Sequence, residues 1–315
     1  MNRKSIILSI QSTNLSNEEK DLIYKEKPWG IILFKRNIKS LNQLKKLTSQ
    51  IRNTMKDSLY PILVDEEGGR VSRFSNLFDS KIFSQNFFGN LFEQNKILGK
   101  SAYESYLNTI CAILKKTGIN INTVPVLDIL KKKTHKIIGD RSYSKNIYTI
   151  SSLAKICTHV LKQNRIGGVS KHIPGHGCSN LDTHKSLAIV NDSYNSLLKN
   201  DFKMFKNVNT HFAMTAHIVY KKIDPINTAT HSAIIIKNIV RERLGFKGIL
   251  ISDDISMKAL SKNLLFNAKK AIKSGCNLVL YCKGNIKESR VLLKNIDKID
   301  DFTAKKTSEF YRFLR

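Results

Sequence analysis

The chain has 315 residues, with 53 lysines and arginines against 25 aspartates and glutamates (net charge +28) and 41% hydrophobic residues. That apolar fraction supplies a substantial core, and no run approaches the ~20 apolar residues of a membrane span. The charge first suggests a nucleic-acid partner, but the excess is lysine scattered through an Asn- and Ile-rich chain, with no basic block longer than "KKK" at 131–133, no RNP-like stretch and no zinc-finger spacing, so nucleic acid is not expected.

The first candidate strand is "SIILSI" (5–10). Arg3 and Lys4 before it imitate a signal peptide, but the run is short and "QSTNLSNEEKD" follows without a small-residue cleavage site, so a cytoplasmic protein is expected. Ser16 with Glu19 three residues on is a capping-box signature for a helix over "SNEEKDLIYKE". Strand "GIILF" (30–34) follows, then "SLNQLKKLTSQIRNTM", which places Leu41, Leu44, Leu47 and Ile51 on one helical face. Further strands are "PILVD" (61–65), "INTVPVLD" (121–128), "GGVSK" (167–171), "FAMTAH" (212–217), "GILISD" (248–253) and "NLVLYC" (277–282). Helical patterns "SSLAKICTHVLKQNRI", "HSAIIIKNIVRERLGF" and "NAKKAIKSGC" lie between the later ones. Nearly continuous apolar runs fit parallel strands covered on both faces. Eight such βα units predict a closed (β/α)8 barrel, a TIM barrel, with residues 1–315 as a single domain. A doubly wound open sheet is the alternative, but no GxGxxG follows the first strand. The five cysteines are odd in number and form no CxxC pair, which fits free thiols in a reducing compartment.

The strands end in chemistry. Asp65 closes the third, Asp128 the fourth, Lys171 and His172 the fifth, His217 the sixth, and Asp253 with Asp254 the seventh. In a barrel these ends converge on the face where active sites are built, so the pattern points to an enzyme. The stretch "SKHIPGHGCSNLDTH" (170–184) adds His172, His176, Asp182 and His184, all metal-ligand types. Pro174 and Gly175 break the helix that would align a His pair four apart, so a constrained loop carrying a catalytic group is the better reading. Asp254 reads as a cap for a helix over "ISMKAL". Arg73 and Arg141 have a second reading as structural ion pairs with Asp65, Glu66 or Asp140. His217 is open between packing and substrate contact.

The motifs "GIILFKRN", "VDEEGGRVSRF", "PVLDI", "IGDRSYS", "KHIPGHG", "LDTH", "MTAHIVY" and "GFKGILISDDISM" stand in the order and at the spacings of family 3 glycoside hydrolases. The chain resembles the compact single-barrel bacterial β-N-acetylglucosaminidases (β-hexosaminidases) of peptidoglycan recycling over nearly its whole length. The resemblance implies Asp253 as nucleophile, His184 as general acid/base with Asp182 as its partner, and Asp65, Arg73, Arg141, Lys171 and His172 as sugar-binding residues. It implies a retaining exo-enzyme that removes terminal β-linked GlcNAc from muropeptide fragments such as GlcNAc-anhydro-muramyl species, in cell-wall recycling. No metal or organic cofactor, no membrane partner and a monomer are expected. The pattern departs from the family at Tyr143, where Phe is common, and at Thr183, where Ser is. A β-N-acetylglucosaminide phosphorylase on the same barrel, a metal-dependent hydrolase and a basic nucleic-acid-binding protein are the alternatives.

Overall fold

A computed structural model describes residues 2–131, 138–177, 187–206, 208–260 and 262–315. The strands are β1 (Lys4–Ser9), β2 (Pro28–Leu33), β3 (Ile62–Val64), β4 (Ile121–Asn122), β5 (Gly167–Ile173), β6 (Ala188–Val190), β7 (Phe212–Thr215), β8 (Ile218–Tyr220), β9 (Ile249–Asp254) and β10 (Leu278–Tyr281). Eight of them close a barrel in the order β1-β2-β3-β4-β5-β7-β9-β10, and β10 returns to β1. Every pairing is parallel; Ile7, for example, lies opposite Leu280 and Gly30. The expected (β/α)8 barrel is therefore present, built from the strands expected.

β4 is far shorter than 121–128. Pro125 has no N–H to give a ladder, and the chain beyond Asn122 runs beside β5 through irregular bonds: Val169 N–H to Val124 O (3.0 Å), Lys171 N–H to Pro125 O (3.1 Å) and Leu127 N–H to Lys171 O (2.8 Å). β6 and β8 were not anticipated. They form a separate two-stranded parallel ladder, Ala188 opposite Ile218, beyond the C-terminal end of β7.

Alternation sorts the side chains. Phe212, Met214, Ile249, Ile251, Leu278 and Leu280 fill the barrel, while Ala213, Leu250 and Val279 face the helices. The helix Leu41–Met55 buries Leu44, Leu47 and Ile51 as its periodicity predicts. The first helix, Asn17–Glu26, has its capping box: Ser16 Oγ accepts from Glu19 N–H (3.1 Å) and Glu19 Oε2 accepts from Ser16 N–H (2.9 Å). The segment Ile235–Arg243 winds as a π-helix, wider than its pattern suggested. The last helix, Asp301–Leu314, plugs the N-terminal end of the barrel. Its Phe310 meets Phe212 edge-on at 5.0 Å, and Trp29 Nε1 donates to Thr307 Oγ1 at 2.9 Å. A Cβ on Gly167 would come within 2.8 Å of the Phe310 ring, so glycine is what admits the plug. Among the described residues no helix is long and apolar enough to cross a membrane.

Candidate active site

The C-terminal strand ends gather a buried polar cluster. Asp65 follows β3; its Oδ2 accepts from Arg73 Nη2 (2.6 Å), and its Oδ1 from Lys171 Nζ (2.5 Å) and Thr123 Oγ1 (2.5 Å). Lys171, on β5, also reaches Glu67 Oε1 (2.5 Å). Glu67 takes Arg141 through two parallel bonds, from Nε and Nη2 at 2.8 Å each, the bidentate fork that guanidinium geometry favours. Asp65 and Glu67 thus share Lys171, and each holds one arginine. Burial alone would raise the Asp65 carboxyl, but Lys171, Arg73 and Arg141 hold it well below the usual carboxylate range. Glu67 is likewise lowered, by Arg141 and Lys171 against its burial.

His172 extends the network. Its Nδ1 lies 2.6 Å from Asp128 Oδ2 and its Nε2 lies 3.3 Å from Arg141 Nη2. Arg141 can only donate, so that contact places a lone pair on Nε2 and the proton on Nδ1, donated to Asp128. Asp128 Oδ1 also accepts the His176 N–H at 2.6 Å, which pins the stem of the 170–177 segment. Burial pushes the His176 imidazole down to about 4, keeping that ring uncharged at neutral pH.

Of these groups, all but Glu67 and Asp128 line one pocket of about 200 Å³. Asp65, Arg73, Arg141, Lys171 and His172 form one wall, Ile32, Phe34, Met214, Met257 and Leu280 an apolar one, and Asp253 and Cys282 stand at the ends of β9 and β10. Arg73 and Arg36 both stack on Phe34, at 5.1 and 5.0 Å. Asp253 Oδ1 accepts the Asp254 N–H at 2.8 Å. Asp254 caps no helix, because residues 255–260 form turns. Its Oδ1 accepts from the Ser256 and Cys282 N–H groups (3.1 and 3.2 Å) and its Oδ2 from Ser256 Oγ (2.7 Å), a tie from β9 to β10.

The structure thus brings six of the sequence-predicted residues to one pocket: Asp65, Arg73, Arg141, Lys171, His172 and Asp253. Asp182 and His184 lie outside the described residues. Both arginines are ion-paired as well as pocket-lining, but Arg141 pairs with Glu67, while Asp140 takes Arg70 instead. Sequence reasoning missed Glu67 and Thr123, and left Asp128 as a strand end without a role. The signal for Asp128 was present, since the 121–128 segment and the 167–171 strand are neighbours in chain order, which sets Asp128 beside His172 although β4 itself ends at Asn122. Nothing local distinguishes Glu67 from Glu66. Tyr143 does not contact the pocket. Its ring is buried and its hydroxyl pairs with Tyr103 at 2.6 Å.

Glu66 turns the other way, into the protein. Its Oε2 accepts from Arg73 N–H (2.6 Å), Phe74 N–H (3.1 Å) and Ser72 Oγ (3.1 Å), folding the loop back so that Arg73 meets Asp65. Its Oε1 is buried with no hydrogen-bond partner among the described residues. Burial pushes this carboxyl up to about 7, against 4.5 when free. The folded state therefore keeps a proton on Glu66 that the unfolded chain releases, and this group's contribution to stability falls as pH rises through that window, by on the order of 3 kcal/mol. Glu66→Gln keeps the acceptor and removes the charge. Because buried histidines such as His176 change stability in the opposite sense over the same range, the readout is a difference: in urea unfolding across pH 4–8 the stability of the wild type relative to Glu66→Gln is expected to fall as pH rises, and parallel curves would contradict it.

The family description "Glycosyl hydrolase family 3 N terminal domain" matches residues 2–309. A beta-hexosaminidase from Nitrosomonas eutropha is 33% identical over 282 residues, covering 88% of this chain and 80% of that protein. A beta-hexosaminidase from Psychromonas ingrahamii is 32% identical over 317 residues, covering 98% and 89%. Among solved structures, NagZ from Neisseria gonorrhoeae in complex with N-trifluoroacetyl-D-glucosamine superposes with a TM-score of 0.87 at 28% identity, covering 100% of this chain and 91% of that one. With the barrel closed in the same way and its polar groups gathered at the strand ends, the chain belongs to glycosyl hydrolase family 3 and is a glycoside hydrolase.

Proposed function

We propose that the chain is a retaining exo-β-N-acetylglucosaminidase that removes terminal β-linked GlcNAc from peptidoglycan fragments, including GlcNAc-anhydro-muramyl species, in the cytoplasm. The observation that carries the reading is a single pocket with the Asp253 carboxylate at one strand end and Asp65, Arg73, Arg141 and the buried Lys171 and His172 on its wall. A space of about 200 Å³ suits one monosaccharide, as removal of a terminal residue requires. Asp65 accepts from sugar hydroxyls, and Arg73, Arg141 and Lys171 donate to hydroxyl or acetamido oxygens. The relatives named beta-hexosaminidase, and the N-trifluoroacetyl-D-glucosamine held by the Neisseria protein, support the sugar.

In the first step an Asp253 oxygen bonds to the anomeric carbon as the bond to the aglycone oxygen breaks, and the protonated His184 gives that oxygen its proton. In the second, the neutral imidazole takes a proton from water, whose oxygen bonds to the anomeric carbon while the Asp253 ester bond breaks. Two inversions return the β configuration. Asp182, two residues before His184, orients the ring and stabilises its cation, the role a carboxylate plays toward a catalytic histidine. The motif "LDTH" supports these two roles. No cofactor enters either step.

His184→Ala is expected to lower kcat/KM by about 10²–10⁴-fold on a GlcNAc disaccharide, and far less on a dinitrophenyl β-GlcNAc, whose leaving group needs no proton. Equal losses on both substrates would remove His184 as the acid. Running the wild type with and without phosphate, and identifying free GlcNAc or GlcNAc-1-phosphate, separates hydrolysis from the phosphorylase alternative.

A further inference from the structure

We propose that His217 is a positioning residue for Asp253, anchoring the Asp254 carbonyl and with it the end of β9 that carries the Asp253 carboxylate. The proposal rests on Asp253 being the nucleophile, as above. His217 lies between β7 and β8 and is 1% exposed, yet it does not line the pocket, so it stands behind the wall and not against the sugar.

Its ring spans two strands and a loop. Nε2 lies 3.0 Å from the Asp254 carbonyl oxygen, and Nδ1 lies 2.7 Å from Thr230 Oγ1. A carbonyl only accepts, so Nε2 must carry a proton and donate it. Thr230 Oγ1 lies in turn 2.7 Å from Thr215 Oγ1 and 3.2 Å from the Ala216 carbonyl. The Thr230 hydroxyl can turn its proton to Nδ1, or to Ala216 when Nδ1 bears its own. The donation from Nε2 to Asp254 is the same either way.

Asp254 is then held at three points: its carbonyl by His217, its carboxylate by the Ser256 and Cys282 N–H groups, and its strand by pairing opposite Leu280. The group left to point at the site is its own N–H, 2.8 Å from Asp253 Oδ1. That donor fixes the carboxylate plane. It also stabilises the negative charge on Asp253 as the glycosyl ester forms and breaks, in the manner of preorganised backbone donors. Without the His217 bond the Asp254 carbonyl loses its side-chain donor, and the peptide after Asp254 is left to the bond from Ile255 N–H to Leu280 O (2.9 Å); the end of β9 loosens, and a misaimed nucleophile loses rate more than binding.

The test compares His217→Asn, His217→Gln and Thr230→Val with the wild type and Asp253→Asn on an aryl β-GlcNAc, with near-UV circular dichroism and a thermal melt to establish that each variant is folded. Gln can place a donor at the position of Nε2; Asn keeps only the inner position. His217→Asn is expected to lower kcat by roughly 10²-fold with KM within a few-fold, His217→Gln to recover most of it, and Thr230→Val to fall between. If Asn and Gln behave alike, or KM rises while kcat stays, the positioning role is wrong. If His217→Asn does not fold, Thr230→Val decides by the same split between kcat and KM. Full activity in Asp253→Asn would instead sink the nucleophile assignment, whatever the His217 variants do.

Discussion

Asp253→Ala is expected to abolish turnover of an aryl β-GlcNAc, lowering kcat by about 10⁴–10⁶-fold, the scale on which removal of a covalent nucleophile acts. The size follows from the geometry. The apolar wall offers no second group to attack the anomeric carbon, and the other carboxylates among the described pocket residues are committed, Asp65 to Arg73, Lys171 and Thr123 and Asp254 to Ser256 and the Cys282 N–H. Azide added to Asp253→Ala should restore turnover and yield the α-glycosyl azide, since a small anion fills the vacated space and inverts once. Wild-type kcat in Asp253→Ala, or a β-azide product, would overturn the assignment.

Lys171→Met is expected to be the most destabilising single change in the pocket. The ammonium is 2% exposed and joins Asp65 to Glu67, and removing one member of a buried ion network leaves uncompensated charge at a cost of about 3–5 kcal/mol. Asp65 and Glu67 are both lowered in the folded state, so the stability they contribute is present above their free values of 3.8 and 4.5 and lost as pH falls. Lys171→Met should move acid unfolding to higher pH, as both carboxyls rise toward protonation. The double variant Lys171→Met with Glu67→Gln should regain part of the stability but none of the activity, because the donor to the sugar stays lost. Urea midpoints together with kcat/KM read both effects; a double variant no more stable than Lys171→Met would mean that Glu67 is not the strained partner.

Much of this was legible because a parallel barrel converts chain order into spatial order. Once "PILVD", "GGVSK" and "GILISD" are strands, the residues that end them must share a mouth, and Asp65, Lys171 and Asp253 do. Glu67 was not legible because a side chain's direction after a strand depends on the turn it enters. Gly68 and Gly69, with φ of 84° and 57°, swing the chain so that Glu66 and Glu67 part, one into the loop's interior and one toward Arg141. A Cβ on Gly68 would sit 2.2 Å from the Phe83 carbonyl, so the turn is open to glycine alone. The Asp254 cap failed for a related reason. Capping chemistry was present, but its acceptors went to Ser256 and to Cys282 on the neighbouring strand, and no helix followed. The β6–β8 ladder was hidden because three-residue strands carry no periodicity of their own.

Closure of the ring through β1 and β10 has a consequence for biogenesis. Residues 4–9 can find their second neighbour only after residues 278–281 exist, and Phe310 seals the floor later still. At ribosomal speeds of about 5–20 residues per second, the first strand waits on the order of tens of seconds with one edge uncovered. The nascent chain spends that interval as an open, curling sheet rich in isoleucine, the period in which chaperone access and codon tempo have their greatest hold on yield.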